Sequence, residues 1–144
     1  MVYLPEGEWF DWHTGEHHVS DGKWIKADAP LDRIPVFVSA GAVIPMLETA
    51  PQNTDKLAPK KIELHVFVPE GDGEMMSMLQ EDDGLTFDAD HQFEVFWHTC
   101  RGVDQFTVDD SGQGFSIFGT EHAEGSNLTV VNIKPKKKWF GRKK

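Results

Sequence analysis

A single cysteine, Cys100, stands in 144 residues, so no internal disulfide can organise the chain. It lies in the apolar-aromatic run Phe93 to Cys100, where a small buried thiol is the ordinary reading. No apolar run approaches the roughly 20 residues that a helix needs to cross a bilayer. Nor does Met1 open on the basic start and apolar core of a secretory leader. Basic residues are scarce through most of the chain. Seven of the 14 Lys and Arg fall in Lys134 to Lys144, leaving 7 basic against 24 acidic residues and a net of −17 for Met1 to Ile133. Such a body repels polyanions, which argues against nucleic-acid binding by the folded part. The basic block itself is expected to be a solvated, disordered tail.

Room for helices is also lacking. Turn signals recur at Pro5-Glu6-Gly7, Thr14-Gly15, Asp21-Gly22, Gly71-Asp72-Gly73, Asp82-Asp83-Gly84, Asp110-Ser111-Gly112 and Gly125-Ser126-Asn127. Short β-branched and aromatic segments fill the intervals, which predicts an all-β chain. The clearest strand is Ile62 to Val68, with Ile62, Leu64, Val66 and Val68 on one face and Glu63, His65 and Phe67 on the other. Further strands are expected at Glu74–Gln80, Phe93–His98, Val103–Val108, Phe115–Thr120 and Asn127–Ile133. Shorter ones are expected at Trp9–Trp12, Lys23–Lys26, Val36–Ser39 and Ala42–Ile44. Half-apolar antiparallel strands of this kind bury their faces as a β-sandwich.

The polar, aperiodic stretch from Leu47 to Pro59 marks a boundary. Residues 1–47 then form a partial sandwich, 48–133 a second one, and 134–144 the basic tail. Some 47 residues are too few for an independent sandwich. The first part should therefore depend on pairing with the second or with another chain.

Clusters that could carry chemistry each have a plainer structural reading. Glu81-Asp82-Asp83 could share a proton or bind Ca²⁺, but Asp83-Gly84 is a hairpin signal and acids favour turns. The histidines at positions 13, 17, 18, 65, 91, 98 and 122 lack the converging spacing of a zinc site. Adjacent His17 and His18 would point to opposite sides of a strand. Trp9, Trp12 and Trp24 could stack on sugars if exposed, or fill a core or an inter-domain seam if buried. Asn127-Leu128-Thr129 fits the glycosylation acceptor pattern. No catalytic, cofactor-binding or metal-ligating residue is assigned, and no cofactor is implied.

Two stretches carry a family resemblance. The first combines Tyr3-Leu4-Pro5, Trp9-Phe10-Asp11-Trp12, Thr14-Gly15, Ala29-Pro30-Leu31-Asp32-Arg33-Ile34-Pro35 and Gly41-Ala42-Val43-Ile44-Pro45. The second joins Val66-Phe67-Val68-Pro69-Glu70-Gly71 to Glu81-Asp82-Asp83-Gly84-Leu85-Thr86. Together they resemble the C-terminal proximal and distal β-sandwich region of glycoside hydrolase family 31, the α-glucosidases and α-xylosidases. The chain departs from the family's usual arginine at Ser39 and from its usual aromatic residue at His13.

The resemblance implies a non-catalytic region that supports a barrel absent from this chain, in a parent that is a retaining α-glycosidase. Retaining hydrolysis needs two carboxyl groups about 5 Å apart, carried in the family on barrel strands. A barrel takes about 250 residues, and neither catalytic motif occurs here. Its implied partner is therefore that barrel. It further implies that the earlier strands of the proximal sandwich are not in this chain, which would leave a sheet edge inviting self-association. The alternative reading is a stand-alone β-sandwich module that binds carbohydrate weakly or engages another protein.

Overall fold

A computed structural model describes residues 1–50, 52, 61–81, 91–100, 103–109, 115–122 and 127–135. The described residues contain no helix. Their strands run in the order β1 (Val2–Leu4), β2 (Gly7–Asp11), β3 (His17–Ser20), β4 (Lys23–Ile25), β5 (Phe37–Ser39) and β6 (Val43–Met46). There follow β7 (Ile62–Phe67), β8 (Gly73–Glu81), β9 (His91–Cys100), β10 (Val103–Asp109), β11 (Phe115–His122) and β12 (Leu128–Pro135). Every pairing is antiparallel. The sheets are β1-β4, β3-β2-β5, β6-β7-β12-β11 and β8-β9-β10, so the protein is an all-β sandwich.

Alternation along β7 behaves as the sequence pattern predicts. Ile62, Leu64, Val66 and Val68 join Val131 and Ile133 of β12 in one buried aliphatic cluster. Phe67 turns to the opposite face and packs with Phe10 and Val38, flanked by Trp12, Ile44 and Leu128. One sheet thus buries aliphatic side chains on one face and aromatic ones on part of the other.

The four-stranded sheet also crosses the Leu47–Pro59 boundary. β6 lies before it and pairs with β7 in register Val43↔Val66 to Met46↔Glu63. Pro45 sits within β6, and β6 occupies the edge of the sheet. An edge is where a residue without an N–H is tolerated. Besides this pairing, Phe10 of β2 meets Phe67 of β7 with ring centroids 6.0 Å apart.

Strands β1 and β3 are additions to the expected set; β4, β5 and β7 are one residue shorter than their sequence pattern, β9 is four residues longer, and the others are one or two residues longer. β12 continues through Lys134 and Pro135, which pair with Ser116 and Phe115. The remainder of the basic tail lies outside the described residues, as do Asp82, Asp83 and Gly84 and most of the boundary stretch.

Candidate functional site

The β2–β3 turn shows how local chemistry shapes the surface of the first region. Asp11 Oδ1 accepts hydrogen bonds from the backbone N–H groups of His13 and Thr14, at 2.8 and 2.9 Å. Gly15 N–H closes the turn on the Asp11 carbonyl at 2.8 Å, and Gly15 takes a φ of 74° that a side chain would resist. Burial by itself would raise the Asp11 carboxyl. The Thr14 and His13 N–H donors outweigh it and hold the group below its usual range.

This turn aims Trp12 and His13 at the segment between β4 and β5. Trp12 N–H donates to the Val36 carbonyl at 2.9 Å, and the His13 Nε2 hydrogen bonds to the Ile34 carbonyl at 2.9 Å. Between turn and segment lies an open groove of about 510 Å³, lined by Trp12, His13, Arg33, Ile34, Val36 and Ile44 among others. Beside it the apolar side chains of Leu31, Ile34 and Val36 stand in solvent, Ile34 at 79% exposure. These three residues form an exposed apolar row on one segment.

The three tryptophans separate. Trp9 donates its indole N–H to the Pro5 carbonyl at 3.0 Å. Trp12 is half-buried, stacked on His65 with centroids 5.9 Å apart and tilted against Phe67 at 5.6 Å. Trp24 alone is open, 64% exposed, and meets Tyr3 across the β1-β4 ladder at 5.6 Å. The tight turn before it is fixed by buried Ser20, whose hydroxyl donates to the Leu4 carbonyl at 2.7 Å and accepts from Gly22 and Lys23 N–H.

The histidines also part company. His17 stacks on Phe10 and His18 packs edge-on against Phe37, on opposite sides of the strand as alternation requires. His65 lies 3.6 Å from Glu63, too far for a hydrogen bond. Lys61 sits 2.9 Å from the same carboxylate. Glu63 raises the Lys61 ammonium above its usual range, and the Lys61 hydrogen bond lowers Glu63.

Two further carboxylates, Glu8 and Glu70, approach each other only with the His17 ring between them, at 3.3 and 3.4 Å. Sequence spacing gave no sign of this trio, because Glu70 is 62 residues from Glu8 and arrives through the turn after β7.

The acceptor pattern at Asn127 is absorbed by the fold. Asn127 donates its side-chain amide to the Val68 carbonyl at 3.1 Å, and Thr129 is buried and hydrogen-bonded to His122. Ser39, at the first departure from the family pattern, is exposed in β5. Cys100 closes β9, and its side-chain surroundings fall outside the described residues.

Comparison with known proteins agrees with this picture. Residues 1–44 match the family model described as the glycosyl hydrolase family 31 C-terminal domain. The chain is 28% identical over 134 residues to a probable alpha/beta-glucosidase of Arthroderma benhamiae, an alignment covering 92% of this chain and 15% of that protein. It is 38% identical over 88 residues to an alpha-xylosidase of Saccharolobus solfataricus, covering 60% of this chain and 11% of that protein. Against the intestinal sucrase-isomaltase of Homo sapiens it is 28% identical over 139 residues, covering 91% and 7%. The chain thus spans a small part of the length of each of these relatives. No solved structure gives a significant match.

Proposed function

Because this chain carries a glycosyl hydrolase family 31 C-terminal region, matched directly over residues 1–44, we propose that its role is non-catalytic support of a catalytic barrel. That barrel belongs to a longer parent protein, a retaining α-glycosidase. The observation that carries this reading is the exposed apolar row Leu31, Ile34 and Val36 beside the Trp12 groove. It lies inside the matched stretch and offers a dry seam to a partner surface. The two related glucosidase and xylosidase names support a glycosidase parent.

The test has two arms. The pure chain, given a chromogenic α-glucoside, should show no turnover above buffer; turnover abolished by one carboxylate substitution would overturn the reading. In the second arm, the aligned segment replaces its counterpart in the Saccharolobus solfataricus alpha-xylosidase. The chimera should keep activity, and Leu31→Asp with Ile34→Asp should cost it activity and solubility. A chimera indifferent to both substitutions speaks against a seam at this row.

One observation favours a second reading, weak carbohydrate binding by a separate module. Trp24 and Tyr3 offer adjacent exposed rings, and ring faces suit pyranose C–H groups. Malto-oligosaccharides should shift tryptophan fluorescence in the intact chain and not in Trp24→Ala if this surface binds sugar.

A further inference from the structure

His17 is held between two carboxylates from different parts of the chain. Its Nε2 lies 3.3 Å from Glu8 Oε2, across the β2-β3 ladder. Its Nδ1 lies 3.4 Å from Glu70 Oε1, in the turn that follows β7. The ring stacks on buried Phe10, with centroids 5.0 Å apart and planes 29° apart, so it cannot swing freely. Glu8 Oε2 also accepts the Glu70 backbone N–H at 3.3 Å. The trio therefore fastens the β2–β3 hairpin of the first region to the turn at Glu70 in the second.

Elementary hydrogen-bond chemistry limits how this knot can be tied. A neutral imidazole has one N–H and one lone pair; only the imidazolium donates from both nitrogens. Two carboxylates facing the two nitrogens are both satisfied only by the charged ring. Apolar Phe10 offers no countercharge, Glu16 reaches towards His18 rather than His17, and the ion pairs of Glu8 and Glu70 among the described residues are both with His17.

We propose that Glu8, His17 and Glu70 form a proton-dependent latch between the two regions of the sandwich. With the ring charged, both carboxylates are bound and the Glu70 turn is closed on the hairpin. When the ring loses its proton, the remaining N–H stays at Nε2, towards the more sheltered Glu8. The Nδ1 lone pair then faces Glu70, whose side chain is the more exposed of the two acids, and that carboxylate swings into solvent. The Phe10–Phe67 contact is unaffected, so the regions stay together while the turn loosens. Ring protonation and closure of the Glu70 turn are thereby linked, because only the doubly protonated ring can donate to both acids. This inference concerns the joint between the regions and stands apart from the proposed support of a barrel.

The test is a double-mutant cycle on the 144-residue chain, pairing His17→Gln with Glu70→Gln and read by chemical unfolding at pH 5.5 and pH 8. The lower value stays above the ordinary carboxylate range. The coupling between the two positions should change the unfolding constant about threefold to fivefold at pH 5.5, the size of one partly exposed ion pair. At pH 8 it should vanish. Coupling that is equal at the two values, or absent at both, overturns the latch. Nitrogen-15 NMR of the His17 ring in the unmodified chain supplies an independent reading if a variant fails to fold. Both ring nitrogens should carry protons at pH 5.5 and one at pH 8, with the Glu70 amide resonance moving in step. A Glu70 resonance that ignores the ring's protonation overturns the latch equally.

Discussion

The two buried clusters on either face of β7 are built on different plans. The cluster of Ile62, Leu64, Val66, Val131 and Ile133 is aliphatic, and its members come from two strands paired directly in register. The seam of Phe10, Val38 and Phe67 is largely aromatic and draws on three strands that lie in two sheets. The first cluster holds a sheet to its own core; the second holds one region of the chain to another. A core of β-branched and leucine side chains needs only strand alternation to form. The seam forms only once β2 and β5 have been brought over the Phe67 end of β7, with backbone bonds such as Gly41 N–H to the Phe67 carbonyl guiding the approach.

The sharpest way to break that comparison is to remove one large side chain from each cluster. Phe10→Ala should cost about 3–5 kcal/mol, and Leu64→Ala about 2–5 kcal/mol, because both residues are fully buried. The distinction lies in what unfolds. Leu64→Ala should lower the stability of the whole chain in one transition. Phe10→Ala should release the first region before the central sheet, so that near-ultraviolet signals from the aromatic seam are lost ahead of far-ultraviolet strand signal during denaturation. Coincident transitions in both variants would mean that the two clusters act as one core.

This difference in plan also explains what could be read in the residues before any coordinates. The face-by-face division of β7 was legible, because Ile62, Leu64, Val66 and Val68 alternate strictly with Glu63, His65 and Phe67. The glycine-marked turns that fall among the described residues were legible too, since positions such as Gly15 need a backbone conformation that other residues avoid. Strand β3 was hidden: His17-His18-Val19-Ser20 shows no clean alternation of apolar and polar residues, and its place comes from pairing with β2. The His17 trio was hidden for a related reason. Its third member is supplied by a distant turn, and local spacing carries no information about which turn meets which hairpin. Of the candidate seam, the motif residues Leu31 and Ile34 were visible, but their exposure belongs to the three-dimensional arrangement.

A smaller effect separates the turn of the first region from its seam. Asp11 accepts two backbone N–H bonds, so Asp11→Ala should cost about 1 kcal/mol, the net worth of a typical hydrogen bond. Its carboxyl is held below the ordinary value by those donors, against the opposing influence of burial. The sign follows: a carboxyl bound more weakly by protons in the folded state stabilises above its unfolded titration range and loses that contribution as pH falls through the folded one. Acid unfolding curves should therefore converge for the parent chain and Asp11→Ala at low pH and diverge towards neutrality. A constant gap across pH would assign the loss to the side chain's packing instead of its charge.

The smallest effect is expected on the polar edge of β7, away from the seam. Lys61 bonds Glu63 at 2.9 Å and also approaches Glu48 at 3.6 Å. The Glu63 hydrogen bond raises Lys61, whose contribution is present below its unfolded titration range and lost as pH climbs through the folded one; Glu63, lowered chiefly by the same bond against burial, behaves in the reverse sense as pH falls. Lys61 and Glu63 keep 26% and 23% of their side chains exposed, and salt screens such partly exposed pairs. Lys61→Met should thus lower stability less than Asp11→Ala, and the deficit should shrink in concentrated sodium chloride. Neighbouring His65, stacked on Trp12, gives a way to tell whether the effect reaches the seam. If the Trp12 environment, followed by near-ultraviolet absorption and fluorescence, shifts in Lys61→Met, the polar edge and the aromatic seam are coupled through Glu63 and His65. If it does not, the two halves of that sheet face are independent, and the attachment of the first region rests on the β6-β7 pairing and its apolar contacts.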